Sequence, residues 1–139
     1  MTKFQIIIDS IAGAVGAVIG FLFGEITGLF WALIAFMAMD YVSGVVIAVI
    51  QRKLSSEVGF KGLAKKLFIL CFVAMGHIID AYIIGSSSVF MTAVILFYTA
   101  NEGISLLENA SVLGLPVPKK LKEVLLQIKR KEEEGNERS

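Results

Sequence analysis

Apolar residues along this chain fall into runs of membrane length, and polar residues fall into short islands between them. Residues 4–23 contain Asp9 and no other ionisable group. Residues 28–50 are apolar apart from Asp40, Ser43 and a few glycines, and residues 67–84 apart from His77 and Asp80. Residues 89–108 are apolar in their first half and carry Asn101, Glu102, Ser105 and Glu108 in their second. About 20 apolar residues cross the hydrocarbon of a bilayer as a helix. The pattern therefore predicts spans over 4–23, 28–50, 63–84 and 89–108. In lipid only a helix or a closed barrel satisfies its own backbone, and runs of this length are helical ones. The fold class predicted is an all-α integral membrane protein, a small bundle of four transmembrane helices ending in a C-terminal amphipathic helix.

Between the second and third runs lies a hydrophilic island, residues 51–66, with Arg52, Lys53, Lys61, Lys65, Lys66 and a single acid, Glu57. It reads as a basic loop joining a helical hairpin. The two turns around Gly24-Glu25 and Gly85-Ser86 carry no Lys or Arg. With four spans, all thirteen basic residues lie on one side, which the positive-inside rule makes cytoplasmic, both termini included. A three-span alternative leaves the first, Asp9-bearing segment on the surface. Residues 1–115 then form the membrane domain and 116–139 a basic cytoplasmic tail. In the tail Leu121, Val124, Leu125 and Ile128 repeat at helical spacing among lysines, the pattern of a helix lying in the membrane interface. Lysines at its start and Glu132-Glu133-Glu134 at its end oppose the helix dipole, so residues 132–139 read as a solvated tail.

Composition agrees with this class. Of 139 residues 56% are hydrophobic and 18% charged, and mean hydropathy is +0.78; a soluble domain is nearer about 45–50% apolar and about 25% charged. The net charge of +1 gives no reason to expect a nucleic-acid partner. Cys71, the single cysteine, sits between Leu70 and Phe72 and reads as a small apolar residue. The first run does not read as a cleavable signal peptide, because one lysine precedes it, Asp9 interrupts it, and it outlasts an h-region.

Two sets of residues call for a role. Gly16, Gly20, Gly24 and Gly28 are spaced four apart, a small-residue stripe that lets helices approach closely in lipid, either within the chain or between copies. Asp40, Ser43, His77, Asp80 and Glu102 are polar groups inside apolar runs. A charged side chain at bilayer mid-depth costs roughly 2.5–3.5 kcal/mol on the insertion scale. These five must then pair with one another to fix packing, or line a wet face. Ser43, His77 and Asp80 also permit a hydrolase triad, but no nucleophile motif surrounds Ser43. No CxxC, HExxH or GxxxxGK[ST] pattern is present, so no metal or cofactor is expected.

The blocks Met39-Asp40-Tyr41-Val42-Ser43-Gly44, Leu54-Ser55-Ser56 and Gly59-Phe60-Lys61-Gly62-Leu63-Ala64-Lys65-Lys66 resemble the toxin-secretion/phage-lysis holin family. So do Asn101-Glu102-Gly103-Ile104-Ser105-Leu106-Leu107-Glu108-Asn109-Ala110 and Leu113-Gly114-Leu115-Pro116-Val117-Pro118. The similarity covers residues 36–126 and is weak before Trp31. It implies a small phage or prophage protein, not an enzyme. Such a protein homo-oligomerises in the lipid of the bacterial inner membrane and opens timed lesions. Endolysin, or a toxin, would leave as cargo without a defined binding site. A small ion channel and a membrane scaffold are the competing classes.

Overall fold

The computed structural model describes residues 1–137. Its helices are α1 (Lys3–Phe23), α2 (Gly28–Ile50), α3 (Ser56–Ile78), α4 (Val89–Val112) and α5 (Lys119–Glu137). A wider π-helical stretch, Ile79–Ile84, continues α3 directly. Four helices are long and apolar enough to cross a membrane: α1, α2, α3 with its π extension, and α4. No strand occurs among the described residues.

Side-chain caps set three of the helix starts, each satisfying a backbone N–H that the first turn leaves free. Thr2, Thr27 and Ser55 accept from the N–H groups of Gln5, Phe30 and Val58. The Ser55 cap, with Glu57 in the first turn, starts α3 within the hydrophilic island. The connection between α2 and α3 is therefore only residues 51–55. Lys61, Lys65 and Lys66 stand on α3, where a loop was expected, and Arg52 and Lys53 remain in the turn.

α4 is the central element, packed against α2, α3 and α5. The core lies between α2, α3 and α4: Phe30, Leu33 and Met37 meet Ile69, Val73 and Ile95. Gly76 brings α3 close to the start of α4, since a Cβ there would stand 3.0 Å from Met91 Cα. α1 lies outside this core. It touches α3 and buries none of its residues. Phe21 stacks on Tyr82 at 5.1 Å between ring centroids, which places the end of α1 beside the end of α3.

The C-terminal segment differs from expectation. Gly114, at φ 81°, turns the chain, and α5 folds back along α4 instead of standing apart from the bundle. Helix continues through Glu137, covering most of the stretch expected to be a solvated tail; Arg138 and Ser139 lie outside the described residues. Docking supplies what the unfavourable charge order withholds. Leu125 is buried against Gly103, and Lys129 donates to Asn101 Oδ1 at 3.2 Å.

Candidate functional site: a buried ion-pair network

Three charged side chains from three helices meet inside the bundle. Lys66 Nζ of α3 donates to Asp40 Oδ2 of α2 at 2.9 Å and also to Glu102 Oε2 of α4. Lys66 and Asp40 side chains are 14% and 15% exposed and Glu102 is 7%, so the three charges are answered mainly by each other. The sequence places them at one level. Asp40 is ten residues before Ile50, Lys66 ten after Ser56, and Glu102 ten before Val112. At ~1.5 Å per residue each lies about 15 Å from the bundle end that carries the α2–α3 turn.

Neutral groups complete the network. Asn109 Nδ2 donates to Asp40 Oδ1 at 3.2 Å and to Ser43 Oγ at 2.8 Å, and the Ser43 hydroxyl donates to the Asp40 carbonyl at 2.9 Å. Glu102 and Asn109 are seven apart on α4, which returns them to one helical face. Gly59, Gly62 and Lys66 likewise share a face of α3. The two glycines leave room for Tyr41, whose hydroxyl donates to the Gly59 carbonyl at 3.4 Å. A Cβ at Gly62 would stand 3.3 Å from the Tyr41 ring. Tyr41 so seated holds α2 and α3 in the register that sets Asp40 opposite Lys66.

A crevice of about 390 Å³ runs from the network toward Ala48, Leu54 and Val58 at that same end. Asp40, Lys66, Glu102, Ser105 and Asn109 form its polar wall. The network is thus satisfied within one chain yet adjoins a space large enough for water. Such groups can exchange protein partners for water without losing their hydrogen bonds. Among the described residues no group of three His, Cys, Asp or Glu side chains is arranged to hold a metal ion.

The five polar residues singled out by sequence do not form one face. Asp40, Ser43 and Glu102 come together; His77 and Asp80 sit toward the opposite end. Asp80, 1% exposed, accepts from the backbone N–H groups of Phe90 and Met91 at 3.1 and 2.9 Å. It caps α4 from a distance, because Ser88 makes no side-chain cap there. His77 lies against Gly24, where a Cβ would collide with its ring, and edge-on to Tyr82. Ser43, His77 and Asp80 are therefore not assembled as a triad. Asn109 lies on the face that spacing along the fourth run gives to Glu102 and Ser105; Lys66 is the member that sequence reasoning missed. Lys66 falls both in the hydrophilic island, residues 51–66, and at the edge of the span predicted over 63–84, and reads as a loop residue because the uninterrupted apolar run begins only at Leu67. Its signal was the Gly59, Gly62, Lys66 spacing.

Of the glycine stripe, only Gly24 has an intrachain neighbour close enough to matter. A Cβ at Gly16, Gly20 or Gly28 would meet nothing within 4 Å.

Four membrane-length helices, three of them closed around an internal ion-pair network, define a multi-pass membrane protein. More narrowly, the chain belongs to the bacteriophage holin family, which it matches over residues 17–130, and that family is not enzymatic. It is 45% identical over 123 residues to a protein of Listeria monocytogenes, covering 88% of this chain and 87% of the relative. It is 34% identical over 118 residues to a 14.9 kDa protein of Clostridium perfringens encoded in the nagH 3' region, covering 85% and 89%. A third relative, YtkC of Bacillus subtilis, is 34% identical over 112 residues, covering 81% and 83%. All three are named as uncharacterized proteins. No solved structure gives a significant match.

Proposed function

We propose that the protein is a lysis holin. It accumulates in the bacterial cell membrane with both termini in the cytoplasm, self-associates, and opens lesions through which endolysin or a toxin leaves. The observation that carries this reading is the Asp40–Lys66–Glu102 network, held inside a bundle whose outer surface is apolar. A holin must be inert as a monomer and leaky as an assembly. A monomer of this form presents lipid with largely apolar side chains, Asp9 of α1 excepted, and keeps the Asp40, Lys66 and Glu102 charges paired with one another. When copies associate, the polar wall around Asp40, Ser105 and Asn109 gives them a surface that tolerates water. The open glycine face of α1 supports association, because a Cβ at Gly16 or Gly20 would meet nothing within 4 Å, and the same holds for Gly28 at the start of α2. Orientation rests on the basic residues of the α2–α3 turn and the start of α3, against turns without Lys or Arg at the opposite end.

The test is inducible expression in a bacterium with and without a cytoplasmic endolysin. Turbidity should collapse abruptly when both are present, and a cytoplasmic reporter enzyme should reach the medium. Depolarisation without release of the reporter would indicate an ion channel. Neither effect, with the protein present in the membrane, would indicate a scaffold.

A further inference from the structure

The position of α5 conflicts with full insertion of α4. Eleven of the nineteen residues of α5 are charged, yet the helix lies along a membrane-length neighbour. Leu125 packs at Gly103 and Phe36. Lys129 bonds Asn101 and lies 5.9 Å from the centroid of the Phe97 ring. Glu133 borders an apolar groove whose walls include Phe90 and Tyr98. Since α4 begins at Val89, the acidic part of α5 reaches almost to the far end of its partner. One charge in hydrocarbon costs about what burying one leucine returns. Buried Leu125, the Lys129–Asn101 bond and the Lys129–Phe97 contact, against so many charges, therefore do not hold this helix at membrane depth.

We infer that α5 and a second copy of this chain compete for the Phe97–Asn101 face of α4. Docked, α5 covers that face. As α4 settles into lipid, α5 withdraws toward the surface, where its exposed Leu121 and Val124 meet the interface and Lys119 and Lys120 meet headgroups. Asn101 then lies within a membrane helix without the donor that Lys129 supplied. An amide carries both a donor and an acceptor, so two copies of Asn101 can satisfy each other across a two-fold axis. Hydrogen bonds of this kind associate helices in lipid. The exchange makes α5 a timer on assembly: a chain that keeps α5 docked is withheld from association through α4, while α1 stays open. The inference rests on the reading of the protein as self-associating, and its readout is kept apart from lesion formation.

The test uses full-length protein with Cys71→Ser, labelled at the N-terminus with donor or acceptor dye. It is reconstituted into phosphatidylethanolamine–phosphatidylglycerol vesicles. A Phe97→Cys/Lys129→Cys pair, oxidised in detergent before reconstitution, should lock α5 down and lower energy transfer between copies severalfold, leaving only what α1 contributes; reduction should restore it. Leu125→Ala/Lys129→Ala should raise energy transfer severalfold at equal protein density, and adding Asn101→Ala should remove that gain. Failure of the cysteine pair to close would overturn the docked state. Equal association of the oxidised and reduced forms would overturn the competition. A gain that survives Asn101→Ala would mean that the uncovered face takes lipid, and the claim for a second copy would fall. Dye release from the same vesicles reads lesion formation separately. Association without release sinks the holin reading and leaves this inference standing.

Discussion

Removing the Lys66 ammonium while keeping its bulk is the sharpest perturbation of the network. Lys66→Met leaves Asp40 and Glu102 facing each other across the α2–α4 contact with no cation between them. Removing one partner of a buried pair costs about 3–5 kcal/mol, because the other charge stays buried and unanswered. Two features set the expectation at the lower end. The adjoining crevice admits water, and Asn109 still donates to Asp40. About 3 kcal/mol is roughly two decades in the folded-to-unfolded ratio. For a chain of this size it corresponds to a Tm lower by about 10 °C.

The assay is thermal unfolding of detergent-purified protein, read by near-ultraviolet circular dichroism, beside a chase of the membrane-bound protein in cells. Lys66→Met should unfold early and turn over faster. Asp40→Asn/Lys66→Met/Glu102→Gln replaces the ions with a neutral set of nearly the same shape and should recover most of the loss. An unchanged Tm for Lys66→Met, or a triple variant no better than the single one, would refute the claim that these charges hold three helices together. Lysis timing then separates two roles. A triple variant that folds and lyses on schedule confines the charges to packing. One that folds and does not lyse assigns them to the open state.

Three further expectations follow from the same geometry. Gly20→Leu should leave Tm and membrane level unchanged, since a Cβ there meets nothing within 4 Å, yet delay or abolish lysis; unchanged lysis timing would remove α1 from assembly. Asp80→Asn offers one acceptor to two backbone N–H groups and should cost about 1–3 kcal/mol, visible as a lower Tm and faster amide exchange at the start of α4. In a Cys71→Ser background, a cysteine at Ser87 should react with an impermeant maleimide from outside intact cells, and one at Ser56 should not; external labelling at Ser56 would reverse the orientation.

The four membrane-length helices are legible in sequence because lipid demands uninterrupted apolar length, and that is a local property. Their boundaries at the end that carries the α2–α3 turn are less so. The start of α3 at Ser56 depends on a cap and an acidic first turn, signals weaker than the five basic residues around them. Asp40, Ser43 and Glu102 stand out as polar groups in apolar runs, and the structure joins them. Asp80 stands out for the same reason but answers backbone N–H groups, a demand set by where the π-helical stretch delivers it. Lys66 is hidden by its neighbours Lys65 and Lys61: three lysines near an apparent membrane boundary look alike until α2 and α4 bring carboxylates to one of them. The fold-back of α5 is not local at all. It depends on the Gly114 turn and on the missing side chain of Gly103, whose Cβ would stand 3.0 Å from Leu125.

The division of labour among the helices bears on how an inert monomer becomes a leaking assembly. α2, α3 and α4 share both the apolar core and the ion-pair network, so a change that opens one disturbs the other. α1 has no part in the network and meets the core only at its end, where Phe23 packs on Phe30 at 5.1 Å between ring centroids. It buries no residue and touches the bundle mainly through α3, and the family match begins at residue 17, within it. A helix with so little intrachain packing is constrained by what surrounds the molecule, which is lipid and other copies. Its glycines lower the entropic barrier to close approach without adding any contact to the monomer. On the holin reading proposed above, self-association through α1 would leave the core of each subunit intact, and the network would change partners only after neighbours are in place. That order keeps the Asp40, Lys66 and Glu102 charges out of contact with lipid at every stage, which three largely apolar helices around one polar centre require.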